Sequence, residues 1–176
     1  EAKRAYEEAL EAAEHAGDAG SVATIRLNLA TIAKQQADLA SASRHLEAAV
    51  DMGKRSGRVA TLRQALLNLA NLDLYLSRVA RARVSLDALQ DQKAELPPQL
   101  HAQLLALEAE YAAQTGDLEA AERLCEQCAQ AYETIGRHAD AAEAMLERIL
   151  FAAARPNANG TALMAALRRP EQSLSG

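Results

Sequence analysis

Cys125 and Cys128 form a C-x-x-C pair, the arrangement in this chain most suggestive of chemistry. Two thiols at that spacing do redox work when they open a helix, where the helix dipole stabilises a thiolate. They hold zinc when two further ligands complete a tetrahedron. Neither context is present: the pair sits inside a helix-periodic segment, and there is no second C-x-x-C and no H-x-x-x-H. His15, His45, His101 and His138 are 30 or more residues apart, and none adjoins a Ser or Cys in a nucleophile motif. Glu7, Glu8, Glu11 and Glu14 have the spacing of a solvated helix face, and no glycine-rich phosphate loop occurs. The residues therefore give no catalytic centre, cofactor site or metal site, and a non-catalytic protein is expected.

A second set of residues has the types and spacing for binding. Thr24, Asn28, Thr31 and Gln35 fall on one helical stripe, beside a stripe of Ile25, Leu29 and Ile32. Gln64, Asn68, Asn71 and Tyr75 repeat the polar stripe, and Gln103, Glu110 and Gln114 continue it, with Leu107 in the place of the Asn. Neutral amides and hydroxyls in a groove can hydrogen-bond an extended peptide backbone without demanding a particular charge. Equally, any helix has a polar solvent face, where an Asn merely avoids burial. The register of Asn28 with Asn68 sets the two readings level.

That register belongs to an internal repeat. The segments 27–49, 67–89 and 106–128 superpose at steps of 40 and 39 residues, with Ala30, Ala70 and Ala109 aligned, and Ala42, Ala82 and Ala121 aligned. A fixed period of this size signals stacked helix pairs that expose a long continuous surface. The same alignment puts Cys125 over Leu46 and Cys128 over Ala49, which are core positions, so both thiols are expected to be buried and structural.

Apolar residues recur at three- and four-residue spacing almost throughout. Breaks at turn-forming residues predict nine helices, near 2–16, 21–36, 39–56, 58–76, 79–94, 97–115, 118–135, 137–155 and 161–168. Linkers of a few residues require neighbouring helices to run antiparallel. Pro97 and Pro98 suit the first turn of a helix, Gly57 and Gly136 its left-handed end, and Asp117 a cap. The expected organisation is a single repeat domain over 1–169, with units at 21–56, 58–94, 97–135 and 137–168 and a frayed tail at 170–176. Residues 1–12 align with 38–49 at an offset of 37, Ala5 over Ala42, and so read as the second helix of a half unit at 2–16. Half a unit is a poor natural beginning for an array, so the chain is expected to be a segment of a longer protein.

Composition supports an all-helical core built from small residues: 49% of residues are hydrophobic, yet the 176 residues include only four Tyr, one Phe and no Trp. A net charge of −5 argues against nucleic acid as a partner. Between Lys54 and Arg83 there are seven basic residues and one acidic, and between Glu108 and Glu147 ten acidic and two basic. These runs read as solvated faces, or as a polarised surface that steers a charged partner. No apolar run approaches the ~20 residues of a membrane span, two cysteines make no disulfide framework, and a cytoplasmic location is expected.

A small residue in a first helix, a short turn often reading Gly-Asp, and an Ala in a second helix together resemble the tetratricopeptide repeat. EYAAQTGDLEAA at Glu110–Ala121 carries the resemblance best; the LNLA of Leu27–Ala30 and of Leu67–Ala70 is similar to the longer-period variants of bacterial regulators and kinesin light chain. The resemblance covers residues 21–135; it departs from the 34-residue form in its period, lacks the usual closing Pro, and places Asp73 where the family has a core residue. It implies a right-handed superhelical array of antiparallel helix pairs whose concave groove binds a protein or peptide. In peptide-binding members of the family an Asn at the place of Asn28 and Asn68 often makes the contact, and with the rest of the polar stripe the expected contacts are Asn28, Thr31, Gln35, Asn68, Asn71, Tyr75, Glu110 and Gln114. It also implies a scaffold or sensor arm of a larger bacterial signalling or transcription-regulatory protein. Two other readings stay open: a sensor whose groove closes on a small effector, with Phe151 and Tyr75 among its walls, and a self-association module pairing two chains through a terminal helix.

Overall fold

A computed structural model describes residues 2–155. These are all-α: α1 (Ala2–His15), α2 (Ala19–Gln35), α3 (Leu39–Ser56), α4 (Val59–Tyr75), α5 (Val79–Gln90), a short 3-10 turn (Lys93–Glu95), α6 (Pro98–Gln114), α7 (Leu118–Thr134) and α8 (His138–Ala154), with no strand among the described residues. The expected ninth helix at 161–168 and the tail at 170–176 lie outside them. Most ends fall within a residue or two of expectation, because local turn chemistry sets them.

Six of the connections share one design. Gly17, Ala37, Gly57, Ser77, Gly116 and Gly136 take positive φ, from 53° to 87°, and each is followed by the first residue of the next helix's cap. They recur every 20 residues except for the step from Ser77 to Gly116. In five of the six the amide after the left-handed residue reaches back five residues to close the helix end, as in Asp18 N to Ala13 O at 3.0 Å, Asp38 N to Ala33 O at 2.9 Å and Asp117 N to Ala112 O at 2.9 Å. Asp18, Asp38 and Asp117 then cap the following helix, Asp117 accepting from Ala120 N at 2.9 Å as expected. Arg58, Arg78 and Arg137 stand at the same place without a side-chain cap.

The connection after α5 differs. A helix over 79–94 is expected, yet α5 stops at Gln90 and Leu96 is extended, with φ −70° and ψ 135°. The proline ring of Pro97 disfavours helical backbone in the residue before it, so the chain leaves α5 early and re-enters at Pro98, the first residue of α6.

Contacts divide the chain into two compact units, Glu1–Asp91 and Gln92–Gly176. In the first, α1, α2, α3, α4 and α5 pack each on the next, and α2 also touches α4; in the second, α6, α7 and α8 pack in sequence. The short turns make packed helices that are consecutive in the chain antiparallel. All six alanines of the two repeat registers are fully buried or nearly so: Ala30 at 1% exposure, and Ala70, Ala109, Ala42, Ala82 and Ala121 at 0%. Small side chains at the crossings let the helices close on one another. Gly53 serves the same end, since a Cβ there would lie 3.1 Å from Leu62 Cα. In the first unit Leu10, Val22 and Leu29 form a cluster backed by Tyr6, Ile25 and Met52. In the second, Ala102, Leu105, Cys128, Ala129 and Tyr132 are packed with Ala141 and Ala144.

The offset of 37 for the first helix is not the structural one. Ala5 is exposed while Ala42 is buried. Superposing the turns, Gly17 over Gly57, places Leu10 over Val50 and Ala13 over Gly53, which are inward-facing pairs. The packing turn of the helix carries the register, and the alanines of its outer face mimic it in sequence.

Candidate functional site

Of the eight expected contact residues, six lie in the first unit. Asn28, Thr31 and Gln35 are on α2, and Asn68, Asn71 and Tyr75 are on α4, the two first helices that touch. Residues three, four and seven apart share a helix face, so the stripe is a physical row. Asn28 and Asn68 are half-buried at the same repeat position, Thr31, Gln35 and Asn71 are exposed, and Tyr75 is 70% exposed. Lys34 Nζ donates to Asn71 Oδ1 at 3.1 Å, tying the rows of α2 and α4 together. Gln64 Nε2 donates to Asn68 Oδ1 at 3.2 Å, and the Thr31 hydroxyl to Leu27 O at 3.1 Å. Both carboxamides of α4 thus spend an oxygen within the row and keep their N–H donors for a further partner.

Glu110 and Gln114 lie in the second unit, on α6, where Gln114 Nε2 donates to Glu110 Oε1 at 3.1 Å. Glu143 and Glu147 of α8 occupy the next two stripe positions, a step of 40 from Gln103 and Leu107. Burial, then the neighbouring Glu143 and Glu110, push the Glu147 carboxyl up. The stripe positions are therefore amide-rich beside a lysine in the first unit, and the corresponding positions of the second unit are acidic. Carrying the repeat step into α8 would have found Glu143 and Glu147 from sequence. Phe151 belongs to α8, in the second unit, and Tyr75 to the first.

Behind the first row is an ion network that the sequence reading did not anticipate. Asp73 is 1% exposed and stands where the flanking repeats have Ala33 and Ala112. Arg81 Nε lies 3.4 Å from its Oδ2 and Arg78 Nη1 3.7 Å from its Oδ1, while Oδ1 is buried without a hydrogen bond. Arg81 also binds Glu47 of α3, which accepts from Ser43 Oγ at 3.0 Å. Burial pushes the Asp73 carboxyl up against the opposing pull of the two arginines, whereas the hydrogen bond from Arg81 draws Glu47 down. The network clamps the start of α5 to α3 and to the last turn of α4, whose opposite face carries Asn71 and Tyr75. Arg63, 8% exposed, likewise replaces Ala23 and Ala102 of the other repeats. The signal was present in the sequence as a charge at an alanine register, but its partners are set by packing.

Cys125 and Cys128 are each 1% exposed in α7, at the level of the buried Leu86 and Leu89 of the preceding repeat. Burial pushes the Cys125 thiol up to about 12 and the Cys128 thiol to about 11, and Cys128 Sγ donates to Ala102 O at 3.4 Å. Such thiols are poor nucleophiles. Among the described residues no group of three or more His, Cys, Asp or Glu is placed to hold a metal, and no helix is long and apolar enough to cross a membrane. No family model and no curated protein sequence matches the chain. The helical-repeat architecture and the surface row therefore carry the functional reading.

Proposed function

We propose that the chain is a non-catalytic interaction module of the tetratricopeptide type, which binds an extended peptide segment along the α2–α4 row of its first unit. In this reading the helix pairs continue as a right-handed superhelix within a larger bacterial signalling or transcription-regulatory protein. One observation supports it above the others: Asn28 and Asn68 hold the same position on two touching helices, in a row that ends in a Tyr75 left 70% exposed. A large ring held in water on a helix that is otherwise well packed is a feature of partner surfaces. The amides supply backbone hydrogen bonds, and Lys34, already on Asn71, biases the row toward a segment carrying carboxylates.

The test is a peptide-array screen with the full chain, followed by affinity measurement on the best ligand with Asn28→Ala/Asn68→Ala and with Tyr75→Ala. Each variant should keep wild-type helical circular dichroism and lose about tenfold or more in affinity. Undiminished binding by the double variant would remove the row from the account.

A further inference from the structure

Arg26 is at odds with its own repeat. Steps of 40 and 39 place it over Leu66 and Leu105, which are 5% and 2% exposed. In the first repeat a guanidinium fills this leucine site. Its Nη2 donates to Glu14 Oε1 of α1 at 2.9 Å, its Nη1 lies 3.3 Å from His45 Nδ1 of α3, and its Nε is buried without a hydrogen-bond partner. Burial and the Arg26 charge push the His45 pKa down, so at neutral pH the imidazole faces the guanidinium as a neutral acceptor.

Beside Arg26 a cleft of about 270 Å³ opens between α1, α2 and α3. Arg26, Arg55 and Glu14 supply its charged wall, and Val22, Met52 and Ala13 its apolar one. The volume sits just under the ~300–1,000 Å³ typical of ligand pockets, which suits a small molecule. Two guanidinium groups against one carboxylate leave the cleft positive. The Glu14 carboxylate already at bonding distance shows what chemistry Arg26 accepts, and Glu14 is 47% exposed, free to swing into water.

We propose that this cleft binds a small monocarboxylate with a short apolar body. The ligand's carboxylate replaces Glu14 on Arg26, Arg55 provides the second positive charge, and the chain lies against Val22 and Met52. A guanidinium matches a carboxylate in shape as well as charge. The site uses the face of α2 opposite to Asn28 and Thr31, so it stands apart from the peptide row, and variants of that row should leave it unchanged.

Hexanoate titrated into the full chain, followed by calorimetry and by amide chemical shifts, tests the proposal, with hexanol as the neutral control. Saturable binding of hexanoate and none of hexanol is expected. Arg26→Leu, which installs the residue of the two other repeats, should weaken hexanoate by about tenfold or more. Arg55→Gln, at an exposed side chain, should weaken it several-fold and serves if Arg26→Leu fails to fold. Glu14→Gln should tighten it, because the internal competitor is gone. Absence of saturable binding by the wild-type chain, equal binding of hexanol, unchanged affinity in the folded arginine variants, or no gain in Glu14→Gln would each overturn it.

Discussion

Asp73 is a buried charge with incomplete hydrogen bonding. Its carboxylate is buried with one oxygen lacking a hydrogen bond, while the arginines that balance it are 42% and 50% exposed and keep much of their hydration. Removing the charge leaves no buried cation behind, which is the circumstance that makes breaking an ion pair costly. Asp73→Ala, restoring the residue of the flanking repeats, should therefore change stability by no more than about 1 kcal/mol in urea unfolding. The pH dependence has a definite sign. A carboxyl whose folded pKa is raised above its ordinary 3.8 contributes stability that is present below that value and lost as pH rises through the folded pKa. Relative to wild type, the variant should gain stability as pH climbs from the ordinary carboxylate range to neutrality. A difference that is flat in pH would mean the carboxyl is not raised. The peptide-row prediction belongs to this scale too, since it isolates two half-buried carboxamides and one exposed ring.

The elements are governed by their turns. Ala37 and Ser77 take φ of 58° and 53° at places where Gly17, Gly57, Gly116 and Gly136 do the same work. A Cβ in the left-handed region costs about 1–2 kcal/mol, and glycine recovers most of it while adding about 0.4–1 kcal/mol of unfolded-state entropy to be lost. Ala37→Gly and Ser77→Gly should each raise stability by about 0.5–1 kcal/mol, measured as a shift of thermal midpoint with unchanged helical signal. A loss of stability in either variant would mean that the side chain makes a compensating contact. Gly53 is the opposite case. Its Cβ would meet Leu62 backbone at 3.1 Å, so Gly53→Ala gains helix propensity and loses the α3–α4 approach.

At the scale of the molecule, each unit has its own interior. The cluster around Leu10, Val22 and Leu29 draws only on the first unit, and the one around Leu105, Cys128 and Tyr132 only on the second. Five helices packed in sequence make nearest-neighbour contacts within Glu1–Asp91. Residues 1–91 expressed alone should therefore give a helical spectrum and a cooperative thermal transition. A molten fragment, helical but without a transition, would show that the first unit depends on the remainder of the chain.

Much of this was legible without coordinates. The helix bounds, the left-handed turns at Gly57 and Gly136, the cap at Asp117 and the buried alanines follow from signals within four to twenty residues of one another. Those signals are the apolar period, the glycine or small residue at the turn, and the repeat step. The same step placed Asn28 and Asn68 in register, and the structure joins their helices through Lys34 and Asn71. What only the tertiary structure decided is the fate of the departures from the repeat. Arg26, Arg63 and Asp73 each put a charge where a sister repeat has leucine or alanine. Sequence can flag such a residue, but whether it is buried, and beside what, depends on side chains from other helices. For Asp73 those are Glu47 and Arg81, and for Arg26 they are Glu14 and His45. The periodic part of this protein is local and can be read along the chain, whereas the energy of a buried charge is set across the chain and exists only once the helices have packed.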